Sequence, residues 1–233
     1  MTQAERTVYA VGDIHGRADL LADLEKKILA DWGEHGGKNS FLVFLGDYID
    51  RGPRSRDVIQ RLITGFPLPA RYLRGNHDQM LLDFMRDPDI GEDWRRLGGI
   101  ETLASYGVDI AEISLGRGFE RAASELKSRM PEAHISFFEG LEMSITTERY
   151  FFCHAGVRPG VRLNAQNDQD LLWIRQPFLG SEADFGKVVV HGHTPVEEPE
   201  ILPNRINVDT GAYLTGKLTC LILNGTVPRF VMT

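Results

Sequence analysis

Five short polar knots carry most of the residues able to do chemistry: Gly12-Asp13-Ile14-His15-Gly16, Gly46-Asp47-Tyr48-Ile49-Asp50-Arg51-Gly52, Arg74-Gly75-Asn76-His77-Asp78, His154-Ala155-Gly156 and His191-Gly192-His193-Thr194. They hold five of the seven histidines, leaving only His35 and His134 elsewhere as surface or packing residues. A single Gly-Asp-x-His-Gly or Gly-Asn-His-Asp is ordinary turn chemistry, because short polar side chains bond to nearby backbone. Five such knots, each after an apolar run, read instead as parts of one site. Asp13, His15, Asp47, Asn76, His154 and His193 form a ligand set of oxygen and imidazole nitrogen. With no thiolate among them, the set suits manganese, iron, zinc or nickel rather than copper(I) or an iron-sulfur cluster. Six ligands are too many for one zinc-like ion. Two divalent ions roughly 3.5 to 4 Å apart need a shared carboxylate, and the centrally placed Asp47 is the natural bridge, with hydroxide as a second bridge.

The elements that must position these residues are legible around them. Phe41 to Leu45 is an unbroken apolar run, the pattern of a strand buried on both faces, and Gly46 ends it where the backbone must turn. Thr7–Val11, Ala70–Leu73, Arg149–Cys153 and Val188–Val190 feed the other knots in the same way. Leu20, Leu21, Leu24 and Ile28 recur at helical spacing, predicting a helix from Arg17 to about Asp31 with Gly33 to Asn39 as its exit loop. Ser55 is placed as the N-cap of a second helix, with Val58, Ile59, Leu62 and Ile63 as its stripe; Met80, Leu81, Leu82 and Met85 mark a third. Strand-knot-helix units imply parallel strands, whose carboxyl ends are where α/β sheets bind ligands.

From about 87 to 138 the pattern is helical and holds no knot, so this stretch is either a layer on the sheet or a cap over the cleft. Leu141 to Cys153 reads as a hairpin around Thr147-Glu148, and Asp168 to Trp173 as a helical turn presenting Arg175. Ile206–Val208, Leu218–Leu223 and Phe230–Met232 are expected as strands of a second sheet packed on the first. The whole, 1–233, reads as a single α/β domain with a helical cap region at about 87–138.

The formal net charge of −7 argues against a general nucleic-acid or anionic-membrane binder. Cys153 and Cys220 each lie in an apolar run, which fits buried, reduced thiols and a cytoplasmic setting. Met1 to Arg6 is polar and no stretch approaches 18 apolar residues, so neither signal peptide nor membrane span is expected. Composition leaves the oligomeric state open.

In order and in wording, the five knots resemble the signatures of the calcineurin-like metallophosphoesterases, in particular their bacterial-type phosphoprotein phosphatase branch. At Asp78 this chain has the shorter carboxylate where the family usually has Glu. The resemblance implies an αββα sandwich with a dinuclear metal centre. Asp13, His15 and Asp47 would hold the first ion, and Asp47, Asn76, His154 and His193 the second. His77 would be the general acid held by Asp50, with Arg51, Asn76 and Arg175 binding the substrate phosphate. Leu171-Leu172-Trp173-Ile174-Arg175 is similar to the arginine-bearing segment of bacterial members.

That chemistry is a metal-dependent phosphomonoesterase, probed first as a serine/threonine protein phosphatase with manganese. The rival within the class is symmetrical hydrolysis of dinucleoside tetraphosphates; from another class, an inactive metal-binding regulatory module, disfavoured because a binder has no use for a proton donor. An acidic balance of 33 against 26 favours a monoester over a four-phosphate substrate. Arg86, Arg95, Arg96 and Trp94 would oppose this by tracking a polyphosphate and stacking a base, but the favoured reading of them is a solvated helix face with one packed indole.

Overall fold

The computed structural model describes residues 7–37, 39–225 and 227–233, so the polar Met1–Arg6 segment lies outside the described residues. Three strand-helix units open the chain: β1 (Val8–Val11) and α1 (Ala18–His35), β2 (Phe41–Phe44) and α2 (Ser55–Thr64), β3 (Ala70–Tyr72) and α3 (Asn76–Arg86). β1, β2 and β3 pair in parallel, as strand-helix crossovers dictate. Alternation decides the faces. Tyr9, Val11, Leu42 and Phe44 face the helices with Leu21, Leu24, Val58 and Ile59, while Val8, Ala10, Val43 and Leu45 face inward between the sheets.

The stretch from 87 to 138 is helical: α4 (Gly91–Trp94), a π-type turn over Arg95–Gly99, α5 (Ile100–Ser105), then α6 (Phe119–Arg129) and α7 (Glu132–Glu139). Trp94, Leu103, Tyr106, Leu126 and Phe138 join the core that α3 and α2 also build, so this part is packed on the helical side of the first sheet.

β4 (Ser144–Thr146) and β5 (Tyr150–Cys153) form the expected hairpin, and α8 (Asp168–Trp173) follows. β6 (Val188–His191), β7 (Glu200–Ile201) and β8 (Arg205–Asn207) complete a second sheet in the order β4-β5-β6-β8-β7, with β5, β6 and β8 parallel. Its outer face is covered by Leu171 and Ile174 around α8 and by Phe178. After α9 (Ala212–Thr215), β9 (Thr219–Leu223) pairs antiparallel with β1, and β10 (Arg229–Met232) pairs with β9. The architecture is the αββα sandwich, with the short helix α8 in the outer layer of the second sheet.

Three local expectations are corrected. The last two strands extend the first sheet, not the second: Cys220 and Ile222 fall on the helix-facing side with Tyr9 and Val11, and Leu221 and Leu223 on the inner side. α1 runs on to His35, with Asp31 held by Tyr9 and Arg229 and Trp32 packed against the core. Ser55 starts α2 without capping it; its hydroxyl instead accepts the N–H of Asp50 at 3.1 Å. Cys153 and Cys220 are buried and unpaired, with burial pushing both thiols up. Among the described residues no helix is long and apolar enough to cross a membrane.

Candidate metal centre

The carboxyl ends of β1, β2, β3, β5 and β6 all point to one edge of the sandwich, and each delivers a knot there. Loop-to-loop bonds knit the knots of each sheet, Ile14 and His15 donating to the Asp47 carbonyl and Gly192 to that of His154, and His193 joins the two sheets by donating to Asp13 Oδ2 at 3.0 Å. The backbone is strained in the process. His15, Asp47, Asp50, Arg51 and His193 have φ of 46°, 52°, 71°, 65° and 66°, and these are the left-handed non-glycine residues among those described. Each such conformation costs on the order of 1–3 kcal/mol and persists only where surrounding bonds impose it. Gly46, with φ of 101°, supplies the turn expected of it.

Asp47 lies at the centre. Its carboxylate is 3.6 Å from His15 Nε2, 3.4 Å from His154 Nε2 and 3.9 Å from His77 Nε2. His15, Asp47 and His77 offer ligand atoms within 4.8 Å of one another, and so do Asp47, His154 and His193. Asn76 Oδ1 sits 2.9 Å from His154 Nε2 and 2.8 Å from His193 Nδ1. The rings are oriented by their other nitrogens or by packing: His15 Nδ1 lies 2.8 Å from the Ile49 carbonyl and His154 Nδ1 2.9 Å from that of Leu45. Outer partners of this kind fix which nitrogen faces a metal. Asp13 stands outside both triads but is tied to the cluster through His193, and its Oδ1 is buried without a hydrogen-bond partner among the described residues. A Cβ on Gly192 would come within 2.1 Å of that oxygen, so the glycine leaves room beside it.

The electrostatics are those of a cluster short of positive charge. Burial, then the charge of Asp209, holds the Asp13 carboxyl well above the usual range. For Asp47 burial is outweighed by the His154 and His77 imidazoles, which hold it well below. Burial opposes but the Asp47 carboxylate raises His154 to about 10, while burial pushes His15 and His193 down to about 3. Asp78 and Asp209 are raised to about 7 and about 6, chiefly by burial, with Asp47 adding to both. An orphaned carboxylate oxygen, two neutral imidazoles and several crowded carboxyls fit divalent cations, whose charge would relieve the crowding.

Around this centre, His77 Nδ1 is 2.7 Å from Asp50 Oδ2, and Arg51 reaches to 3.2 Å from His77 Nε2. Arg175 is exposed just beyond α8, close enough for its charge to weigh on His193. The shorter carboxylate at Asp78 still accepts the N–H groups of Asp47 at 2.9 Å and Gly75 at 2.8 Å.

Four further residues border the site. Tyr213 lies with its ring 5.2 Å from that of His15 and 4.4 Å beneath the Arg51 guanidinium. Asp209 follows β8 as the knots follow the other strands, a signal that the Ile206-Asn207-Val208 run could have given. Trp94 and Thr102 reach Asp50 from the 87–138 stretch, and no local pattern announces them. The arginines of that stretch form a solvated helix face with one packed indole, as favoured from the sequence: Trp94 is buried, Arg95 and Arg96 both bond Glu92, and Arg86 lies 3.8 Å from Asp83.

A two-sheet sandwich whose joint edge gathers histidines and carboxylates about one aspartate defines a metallophosphoesterase, and the chain belongs to the calcineurin-like phosphoesterase family, whose model matches residues 6–223. Members of that family use divalent metals. Among curated relatives, the asymmetrical bis(5'-nucleosyl)-tetraphosphatases PrpE of Bacillus cereus and of Anoxybacillus flavithermus are each 30% identical to it, across 91% of this chain and 88% of theirs. A solved structure provisionally named a diadenosine tetraphosphatase covers 99% of this chain and 98% of its own at 20% identity, with a TM-score of 0.68. A serine/threonine phosphatase from Saccharomyces cerevisiae covers 99% and 80% at 16% identity, with a TM-score of 0.56. These two likenesses establish the fold.

Proposed function

We propose that this chain is a divalent-metal-dependent hydrolase of dinucleoside tetraphosphates, cutting the polyphosphate asymmetrically. The observation that carries the reading is the near end-to-end match to relatives of that name, in a chain that keeps the ligand cluster, the His77–Asp50 pair and Arg51. Asp13, His15 and Asp47 would hold one ion and Asp47, Asn76, His154 and His193 the other. When bound, manganese, or iron, zinc or nickel in its place, polarises phosphoryl oxygens and makes water acidic enough to attack at neutral pH.

The chain's own groups do the rest. Arg51 and Arg175 grip phosphoryl oxygens through planar forks, and Arg51 is held in place by the Tyr213 ring. His77 keeps its Nδ1 proton on Asp50, so Nε2 is the atom that delivers a proton to the departing oxygen. Burial lowers the affinity of His77 for that proton, but the Asp47 and Asp50 carboxylates outweigh it and raise its pKa. Half-buried Tyr213 borders the phosphate site beside Arg51, and its ring suits a nucleoside.

A second reading, a serine/threonine phosphoprotein phosphatase, is favoured by the same His77–Asp50 pair: an alkoxide leaving group needs a proton more than a phosphate does. Both readings fit a cytoplasmic enzyme without nucleic-acid or membrane partners. The test is kcat/KM with manganese on diadenosine tetraphosphate and on phosphopeptides side by side. ATP plus AMP as products, and a preference for the dinucleotide, are expected; two molecules of ADP would establish symmetrical cleavage instead. A preference for phosphopeptides overturns the proposal and leaves the metallophosphoesterase chemistry standing.

A further inference from the structure

Asp50 is fully buried, and its carboxylate accepts from three donors: His77 Nδ1 at 2.7 Å and Trp94 Nε1 at 2.8 Å on Oδ2, and Thr102 Oγ1 at 2.6 Å on Oδ1. Its own N–H donates to Thr102 Oγ1 at 2.9 Å, and that hydroxyl lies 3.0 Å from Ser55 Oγ. Two of the three carboxylate donors thus come from α4 and α5, far along the chain. The next residue is held by the same segment: Arg51 N–H donates to the Gly98 carbonyl at 3.1 Å. Asp50 and Arg51 both sit in the left-handed region, with φ of 71° and 65°, so their turn needs partners from outside to persist.

We infer that Trp94 and Thr102 are positioning residues for the His77–Asp50 pair: the 87–138 segment does not close over substrate, it clamps the strained 50–51 turn so that Asp50 presents one fixed oxygen to His77. Trp94 shares Oδ2 with His77, so removing the indole N–H frees the carboxylate to rotate away from the imidazole. Thr102 fixes the other oxygen and the backbone together, a role for a hydroxyl that an isosteric methyl cannot fill. Plain core packing would require neither hydrogen bond, since Trp94 already fills space against Phe84 at 4.8 Å between ring centroids.

This inference rests on His77 being the proton donor, and the experiment separates the two. Wild type, Trp94→Phe, Thr102→Val, Thr102→Ser, Asp50→Asn, His77→Asn and the Trp94→Phe/Asp50→Asn double variant are loaded with manganese and assayed on a nitrophenyl phosphate and on an alkyl phosphate. Trp94→Phe and Thr102→Val should lower kcat on the alkyl ester by about 10- to 100-fold, the scale of a misplaced catalytic group. The nitrophenyl ester should suffer less, and KM and metal content should hold. Thr102→Ser should restore kcat, and Trp94→Phe should cost nothing further in the Asp50→Asn background. Equal losses on both esters, or additive losses in the double variant, overturn the clamp. Should Trp94→Phe fail to fold, the Thr102→Val and Thr102→Ser pair decides alone. If His77→Asn shows no dependence on the leaving group, the proton-donor reading falls and the clamp with it; if His77→Asn shows it and the clamp variants do not, only the clamp falls.

Discussion

His77 and Asp50, 27 residues apart in sequence, meet at 2.7 Å between Nδ1 and Oδ2 with both side chains out of solvent. The contact fixes which imidazole nitrogen faces the cleft, and Arg51 lies beside that nitrogen. His77→Asn should therefore leave metal content nearly intact and lower kcat by roughly 10²- to 10⁴-fold on poor leaving groups, the range for a lost general acid. An activated aryl ester should lose less. Equal losses on both kinds of ester would point to a metal-supporting role for His77 instead.

Asp47 stands between two histidine groups, with His15 and His77 on one side and His154 and His193 on the other. Asp47→Asn removes the shared charge, so the variant should lose affinity at both ions together. Metal analysis of the purified variant is the check, and two ions retained at wild-type affinity would sink the bridging assignment.

Gly98 adopts φ of 102°, and a Cβ there would come within 2.7 Å of the Arg51 nitrogen. Gly98→Ala should displace Arg51 and weaken competitive inhibition by inorganic phosphate by about tenfold, the loss of one charge-assisted hydrogen bond at roughly 1.4 kcal/mol. Metal content should not change. Unaltered phosphate inhibition would show that Arg51 does not hold the phosphoryl group.

Asp31 joins α1 to both edges of its contact with the first sheet, accepting from Tyr9 Oη at 2.9 Å and Arg229 at 2.8 Å. Burial would raise its carboxyl, but the bonds from Arg229 and Tyr9 outweigh this and hold it below the usual range. A depressed carboxyl contributes stability that is complete above its unfolded pKa of about 3.9 and fades as pH falls through the lower folded value. Asp31→Asn should cost about 1–2 kcal/mol at neutral pH, at the modest end because Arg229 is partly exposed. The gap should narrow in urea titrations as pH is taken below about 3.9. A difference that persists unchanged at low pH would assign the effect to packing.

The strands and their knots were legible because length and punctuation are local: Phe41 to Leu45 is short and apolar throughout, as a buried strand is, and Gly46-Asp47 is turn chemistry directly after it. The same local reading misplaced Leu218–Leu223, since an apolar strand says how buried it is but not which sheet accepts it; pairing with β1 rather than β8 depends on where α9 turns the chain. Ser55 was misread for a related reason. A serine before a helical stripe is a cap by local propensity, yet here the hydroxyl is taken by the Asp50 N–H on the preceding turn and by the distant Thr102 hydroxyl at 3.0 Å.

The sequence by itself determined which residues could do chemistry, because ligand type and strand-end placement are written in neighbouring residues. Only the tertiary structure decided what holds them. Trp94 and Thr102 reach Asp50 across 44 and 52 positions, and Tyr213 reaches His15 and Arg51 from the far end of the chain. Nor could any window of sequence reveal that His15, Asp47, Asp50, Arg51 and His193 are all left-handed, because such backbone conformations are unfavourable locally and exist only where distant hydrogen bonds impose them.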